Sequence, residues 1–276
     1  MNKKIRLLIQ VLFVWVGLFA QAAEPTTTVL RKAADRTMVL AQGGTDFGFF
    51  SPETGGYLKT GLILGDKSLW LKNAQSLQSK SSNRGWELRI KDPILGTGEL
   101  QFQVQPLTDC NGLILQVSGK NLPQGLRFLW AYGGGSADSL STEKTTFLQP
   151  EQCHDNVFSR EINAFTMYYG TTTKLRVMVG VTPLQTETKL SNARQTTSPL
   201  TFWNSGKKTD APALGGSNTL VNGETYYYCI YRQNRLADFN YYMLPALFQK
   251  EAALKTMTTN EKAKPSSDFG PDFHQQ

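Results

Sequence analysis

Between Gly85 and Gly135 apolar and polar residues alternate with a period of two. Trp86, Leu88 and Ile90 fall on one side, with Glu87, Arg89 and Lys91 on the other. Asp92-Pro93 and Gly96–Gly98 interrupt the chain, after which Leu100, Phe102 and Val104 alternate with Gln101, Gln103 and Gln105. A second break at Asp109–Gly112 leads into Leu113–Val117, and a third at Asn121–Gly125 leads into the apolar run Leu126–Tyr132. Period-two alternation between Gly, Pro and Asx turns is a strand signal. Strand side chains point to opposite faces in turn, so each segment can cover a core with one face and meet water with the other. Four such units in succession predict an antiparallel meander, the body of a β-sandwich.

The flanking sequence continues the pattern. Thr26–Arg31, Thr37–Leu40, Phe47–Phe50, Tyr57–Leu64 and Leu69–Leu71 are expected as strands. Residues 73–84, rich in Gln, Ser and Asn, are expected as a long exposed loop, and the polar run Ser136–Thr145 as another. Asn163–Tyr169 and Leu175–Val181 predict a hairpin, with Leu175, Val177 and Val179 inward and Arg176 outward. Residues 182–199 are polar with weak periodicity. Thr219–Val221 and Glu224–Tyr231 flank Asn222-Gly223, the strongest hairpin signal in the chain. Pro245 followed by Ala246–Lys255 predicts a helix with proline in its first turn, where the missing N–H is no loss. Its apolar stripe is thin, as suits a helix lying on a neighbour. The expected organisation is a leader over 1–22, a sandwich over 23–235, a helical extension over 236–260 and a disordered tail over 261–276. The fold class is all-β: an antiparallel β-sandwich with a short C-terminal helix.

Composition narrows the setting. The chain has 276 residues and 40% hydrophobic content, enough for a substantial core. Residues 1–22 read as a secretory leader. Lys3, Lys4 and Arg6 precede the apolar run Leu7–Ala20, and Ala20-Gln21-Ala22 fits a cleavage pattern. That apolar run is shorter than the ~20 residues of a spanning helix. The protein is therefore expected in the periplasm or at the cell surface, with no transmembrane segment after cleavage. Removing the three basic leader residues lowers the net charge of +7 to about +4. With no concentrated basic patch, nucleic acid is not an expected partner. Three cysteines remain: Cys229 reads as a small buried hydrophobe, while Cys110 and Cys153 lie in turn-like sequence and could form a single bridge.

The usual catalytic constellations are missing. The two histidines are His154 and His274. Cys153-His154-Asp155 are chain neighbours that point apart on a turn, giving neither a metal set nor a Cys–His pair. Gly133-Gly134-Gly135 lacks the order of a dinucleotide loop and reads as a flexible turn, so no cofactor is expected. Asp92, Asp109, Glu151, Asp155 and Glu161 could supply a carboxylate pair for glycosidic chemistry, but their spacing selects none. No catalytic residue is assigned. Among five tryptophans and ten tyrosines, Trp70, Trp130 and Tyr132 are the candidate ligand-binding residues, as platforms that stack on a sugar ring. Burial in the core is the competing reading for the tryptophans.

The order of the central turns carries a further signal. Gly65-Asp66-Lys67-Ser68-Leu69-Trp70-Leu71 is followed by Lys91-Asp92-Pro93-Ile94-Leu95-Gly96-Thr97-Gly98, then by Asp109–Val117 and Asn121-Leu122-Pro123. Leu129-Trp130-Ala131-Tyr132-Gly133-Gly134 and Phe147-Leu148-Gln149-Pro150-Glu151-Gln152-Cys153 close the series. Together, from roughly Val39 to Asn260, they resemble an uncharacterised N-terminal β-supersandwich domain of exported bacterial glycoside-hydrolase-like proteins, a domain of unknown function. In the longer members that domain precedes an α/α toroid that would carry the catalytic acids. The resemblance implies a non-catalytic accessory or carbohydrate-associated module, with a glycan as ligand. A fragment of a glycoside hydrolase, and a structural module docking a separate α/α-toroid catalytic partner through the 245–255 helix, are the alternatives. The polar loops at 73–84 and 136–145 would lie at the rim of a toroid's cleft.

Overall fold

The computed structural model describes residues 27–32, 38–42, 44–51, 54–82, 85–136, 148–154, 156–169, 176–206, 208–234 and 237–262. The expected leader, residues 137–145 of the second polar loop and residues 263–276 of the expected tail lie outside these residues. The described residues form two eight-stranded sheets. The first contains β1 (Thr27–Lys32), β2 (Met38–Gln42), β3 (Asp46–Ser51), β4 (Thr54–Leu64), β10 (Arg127–Ser136), β15 (Pro212–Thr219) and β14 (Glu187–Asn192) in that spatial order, with β5 (Lys67–Trp70) also paired to β4. The second runs β11 (Val157–Arg160), β12 (Ala164–Tyr169), β13 (Arg176–Val181), β16 (Thr225–Arg232), β9 (Gly112–Lys120), β8 (Glu99–Pro106), β7 (Gly85–Lys91) and β6 (Ser76–Ser82). The all-β sandwich is thus observed.

The main core lies between the sheets. Phe47, Leu58, Leu62, Phe128 and Leu214 from the first meet Leu88, Leu100, Phe102, Leu115 and Ile230 from the second. Phe128 stands edge-on to Phe102 at 5.6 Å and tilted against Tyr228 at 5.1 Å, so aromatic pairs tie the layers together. Each sheet also buries part of its outer face. On the first, α1 (Pro150–Cys153) and α2 (Pro199–Trp203) cover Tyr57, Ile63, Leu129 and Ala213. On the second, α3 (Leu244–Lys262) lays Leu244, Leu247 and Phe248 over Ile114, Cys229 and Tyr231. The apolar side of this helix is occupied by its own sheet.

Several local expectations change. Residues 76–82 form β6, paired with β7 from Ser76↔Lys91 to Ser82↔Gly85, where a loop was expected. Its polar sequence and Lys80 suit an edge strand, which must resist pairing with another chain. The weakly periodic 182–199 segment holds β14, the corresponding edge of the first sheet. In β13 Met178 joins the inner core, whereas Val179, expected inward, packs with Val181 on the outer side; Leu175 lies outside the described residues. Both faces of that strand are covered where they are described, so its sequence is apolar from Val177 to Val181 and alternation cannot set the register.

Asn222-Gly223 does not close a hairpin. The strand before it, β15, belongs to the first sheet and the strand after it, β16, to the second. The turn carries the chain between layers. Asn222 grips Leu122 by accepting from its N–H at 2.7 Å and donating to its carbonyl at 3.1 Å. Nor is the triple glycine a turn, because β10 runs through it to Ser136. A Cβ on Gly133 would come within 2.6 Å of Cys153 Sγ and 2.9 Å of Leu148 Cδ1. That position is glycine so that α1 can lie close on the strand.

Candidate functional site

The three aromatics proposed as sugar platforms are core residues. Trp70 retains 3% of its surface; its indole N–H donates to the Thr196 carbonyl at 2.8 Å and its ring tilts against Phe202 at 6.1 Å. Trp130 stacks on Phe165 at 5.3 Å between the sheets, and Tyr132 packs on the same ring at 5.5 Å. A Cβ on Gly216 would fall 2.0 Å from Trp130 Cζ2, so the strand is stripped to backbone to receive the indole. Stacking needs one open face, and none of the three has one. Among the described residues Tyr242, at 76% exposure, is instead the open aromatic ring, with Met243 beside it.

Beneath the outer face of the first sheet, β3 places Asp46 beside Lys59 of the adjacent β4. The Lys59 and Lys72 ammonium groups lie 3.9 and 4.0 Å from the Asp46 carboxylate. Lys59 also sits 5.0 Å from the Trp70 ring centroid. Burial pushes the Asp46 carboxyl up in pKa against the pull of the two lysines, and pushes Lys59 down. Cys153 is buried here too, with its thiol pushed up to about 12 by burial, while His154 is exposed. A thiol so held is not a nucleophile at neutral pH. Cys110 belongs to the cluster on the other sheet's outer face, so a Cys110–Cys153 bridge is ruled out by placement.

That opposite face carries the more open geometry. Beyond β16 the chain turns back at Arg232–Asn234, and the Phe239 N–H donates to the Tyr231 hydroxyl at 3.0 Å. It then enters α3 past Tyr241 and Tyr242, whose rings stand 6.2 Å apart. Running back along the sheet, α3 sets Phe248 against Tyr227 at 5.8 Å. It then reaches the β8–β9 turn, where buried Glu251 accepts from the Thr108 N–H at 3.0 Å and hydroxyl at 2.8 Å. Lys250 Nζ donates to Asp109 Oδ2, an ion pair that raises the lysine's pKa.

Between this turn and the end of β16 is a polar cleft of about 330 Å³, lined by Asp109, Cys110, Asn111, Arg232, Gln233 and Asn234. Backbone bonds hold its two walls together: Leu107 N–H to the Gly112 carbonyl at 3.0 Å closes the turn, and Arg232 N–H to the Asn111 carbonyl at 2.7 Å joins it to β16. Asn234 Nδ2 donates to the Asp109 carbonyl at 3.3 Å. A Cβ on Gly112 would lie 2.4 Å from the Ile230 carbonyl oxygen, so only glycine permits this approach. The sequence marks Asp109–Gly112 as a turn but does not show that Arg232-Gln233-Asn234 faces it. That proximity follows from the pairing of β9 with β16, over one hundred positions apart in the chain.

Of the five acids considered for catalysis, four fall within the described residues. Asp92 caps the 93–95 turn, accepting from the Ile94 and Gln75 N–H groups at 3.0 Å each. It sits at the opposite end of β8 from Asp109. Glu151 and Glu161 are exposed, and Asp155 lies outside the described residues. Among the described residues no cluster of three or more His, Cys, Asp or Glu side chains could hold a metal ion, and no helix is long and apolar enough to cross a membrane.

Comparison with solved structures shows that the fold is similar to part of a bacterial glucoamylase crystallised with acarbose. The superposition has a TM-score of 0.54 at 12% identity, covering 89% of this chain and 39% of that one. The chain thus spans well under half the length of that relative. No curated protein matches the sequence. A family model described as a domain of unknown function, DUF4450, matches residues 51–252. That match takes in the second sheet, the first sheet from β4 onward and the first half of α3, and the chain accordingly belongs to the DUF4450 family.

Proposed function

We propose that this chain is an exported, non-catalytic accessory module of carbohydrate-processing machinery. The observation that carries the reading is the extent of the structural likeness. Nearly the whole chain corresponds to a minority of a glucoamylase, as a non-catalytic part of a larger enzyme would. The placement of acids supports it. Asp46 and Glu251, the buried carboxylates among the described residues, belong to the outer faces of different sheets. Packed sheets are about 10 Å apart. Acids lying outside both layers are therefore farther apart than the roughly 5–9.5 Å across which a glycosidase pair works.

Docking to a separate catalytic domain is a second reading, favoured by exposed Tyr242 and Met243 at the start of α3. Any such contact would use these residues and the outer side of the helix, since Leu244, Leu247 and Phe248 are already buried. The test of the non-catalytic reading is incubation of the purified chain with a panel of oligosaccharides while released sugar is followed. No release above background is expected. Release that disappears when one carboxylate is converted to its amide would overturn the proposal.

A further inference from the structure

We propose that the cleft between the β8–β9 turn and the end of β16 binds a single neutral sugar unit, an inference that rests on the carbohydrate-associated reading and gives it a location. At about 330 Å³ the cleft lies at the small end of the roughly 300–1,000 Å³ typical of small-molecule sites. It suits one small ligand better than a long chain. Its lining presents one carboxylate, one guanidinium and three carboxamides, with Cys110 in addition. Amides both donate and accept, a carboxylate accepts and a guanidinium donates. Such a mixture matches vicinal hydroxyls, each of which is donor and acceptor at once.

Lys250 already pairs with the Asp109 carboxylate, and the three carboxamides of Asn111, Gln233 and Asn234 give most of the lining a neutral donor–acceptor character. The absence of an aromatic residue from the described lining removes stacking as a source of affinity. Hydrogen bonds therefore dominate. The backbone bonds across the cleft hold both walls in place before ligand arrives, which limits the entropy lost on binding. The site also communicates with α3. Asp109 on the cleft wall pairs with Lys250, and the preceding Thr108 is held by Glu251. An occupied cleft stiffens the turn that receives the helix.

The test is a titration of the purified full chain with the methyl glycosides of glucose, galactose, mannose and xylose, followed by backbone and side-chain amide NMR. At least one should shift the Asn111, Gln233 and Asn234 amides saturably. Gln233→Ala, at an exposed position, and Asn111→Ala should each weaken binding about three- to tenfold, as loss of one or two hydrogen bonds does. Their melting temperatures serve as the control for folding. Trehalose and inorganic phosphate, as a larger neutral and an anionic probe, should bind more weakly than the best glycoside. The proposal is overturned if no methyl glycoside moves these amides, if phosphate binds best, or if binding is unchanged in both folded variants. Glycan binding that persists in those variants would place carbohydrate elsewhere on the molecule and leave the accessory reading standing. Cleft binding accompanied by authentic hydrolysis would instead preserve the site and remove the non-catalytic reading.

Discussion

Trp130 shows how residue type underdetermines role. Its alternation with Leu129 and Ala131 signals a strand, and an aromatic on a strand serves equally as a sugar platform or as core. What decides is the partner layer: Phe165 stacks on one side and Gly216 opens space on the other, and neither relation can be read locally. Trp130→Ala should therefore lower stability by about 3–5 kcal/mol, measured by denaturant unfolding. An unchanged midpoint with selective loss of glycan binding would restore the platform role. Asp46 and Lys59 were equally silent in sequence, because charged residues in strands usually face water. Asp46→Asn should destabilise the protein by about 3–5 kcal/mol, since it leaves a buried ammonium without its counter-charge. The double replacement Asp46→Leu with Lys59→Met should cost less than Asp46→Asn alone. Unfolding midpoints of the variants test this, and simple addition of the two single effects would contradict the buried pairing.

At the scale of elements, alternation is legible where one face of a strand is wet. That holds for β7, and for β8 as far as Val104, whose residues alternate in burial as their sequences do. It fails for β13, covered on both faces, and for β6 and β14, polar strands at sheet edges. Asn222-Gly223 illustrates another limit. A two-residue turn dictates a reversal of direction, but hydrogen bonding from Asn222 to Leu122 directs the reversed chain into the other sheet. The helix was visible from Pro245 and its thin stripe; the role of Glu251 within that stripe was not. Glu251 anchors α3 through two bonds to Thr108, so Glu251→Ala should cost about 2–3 kcal/mol. It should also speed amide exchange in α3 while leaving the inner strands protected. Uniform exchange across the molecule would show that the helix is not separately anchored.

For the whole molecule, the sandwich could be foreseen from turn order and alternation, and the family match covers the second layer and the first from β4 onward. The cleft could not, because it is made by residues that meet only when β9 pairs with β16. The two outer faces have different characters. Short helices seal the first over Trp70 and a buried charge cluster, whereas the second leaves Tyr242 open just before α3 and a polar cleft open beside the β8–β9 turn. An accessory module needs a surface that recognises something without carrying out chemistry, and on the reading proposed above that surface is the second face. The most direct measurement is binding of the purified chain to a broad glycan array, with sugar release followed on the same glycans. The account predicts retention on at least one glycan without release. Failure to retain any glycan, or hydrolysis of a retained one, would contradict it.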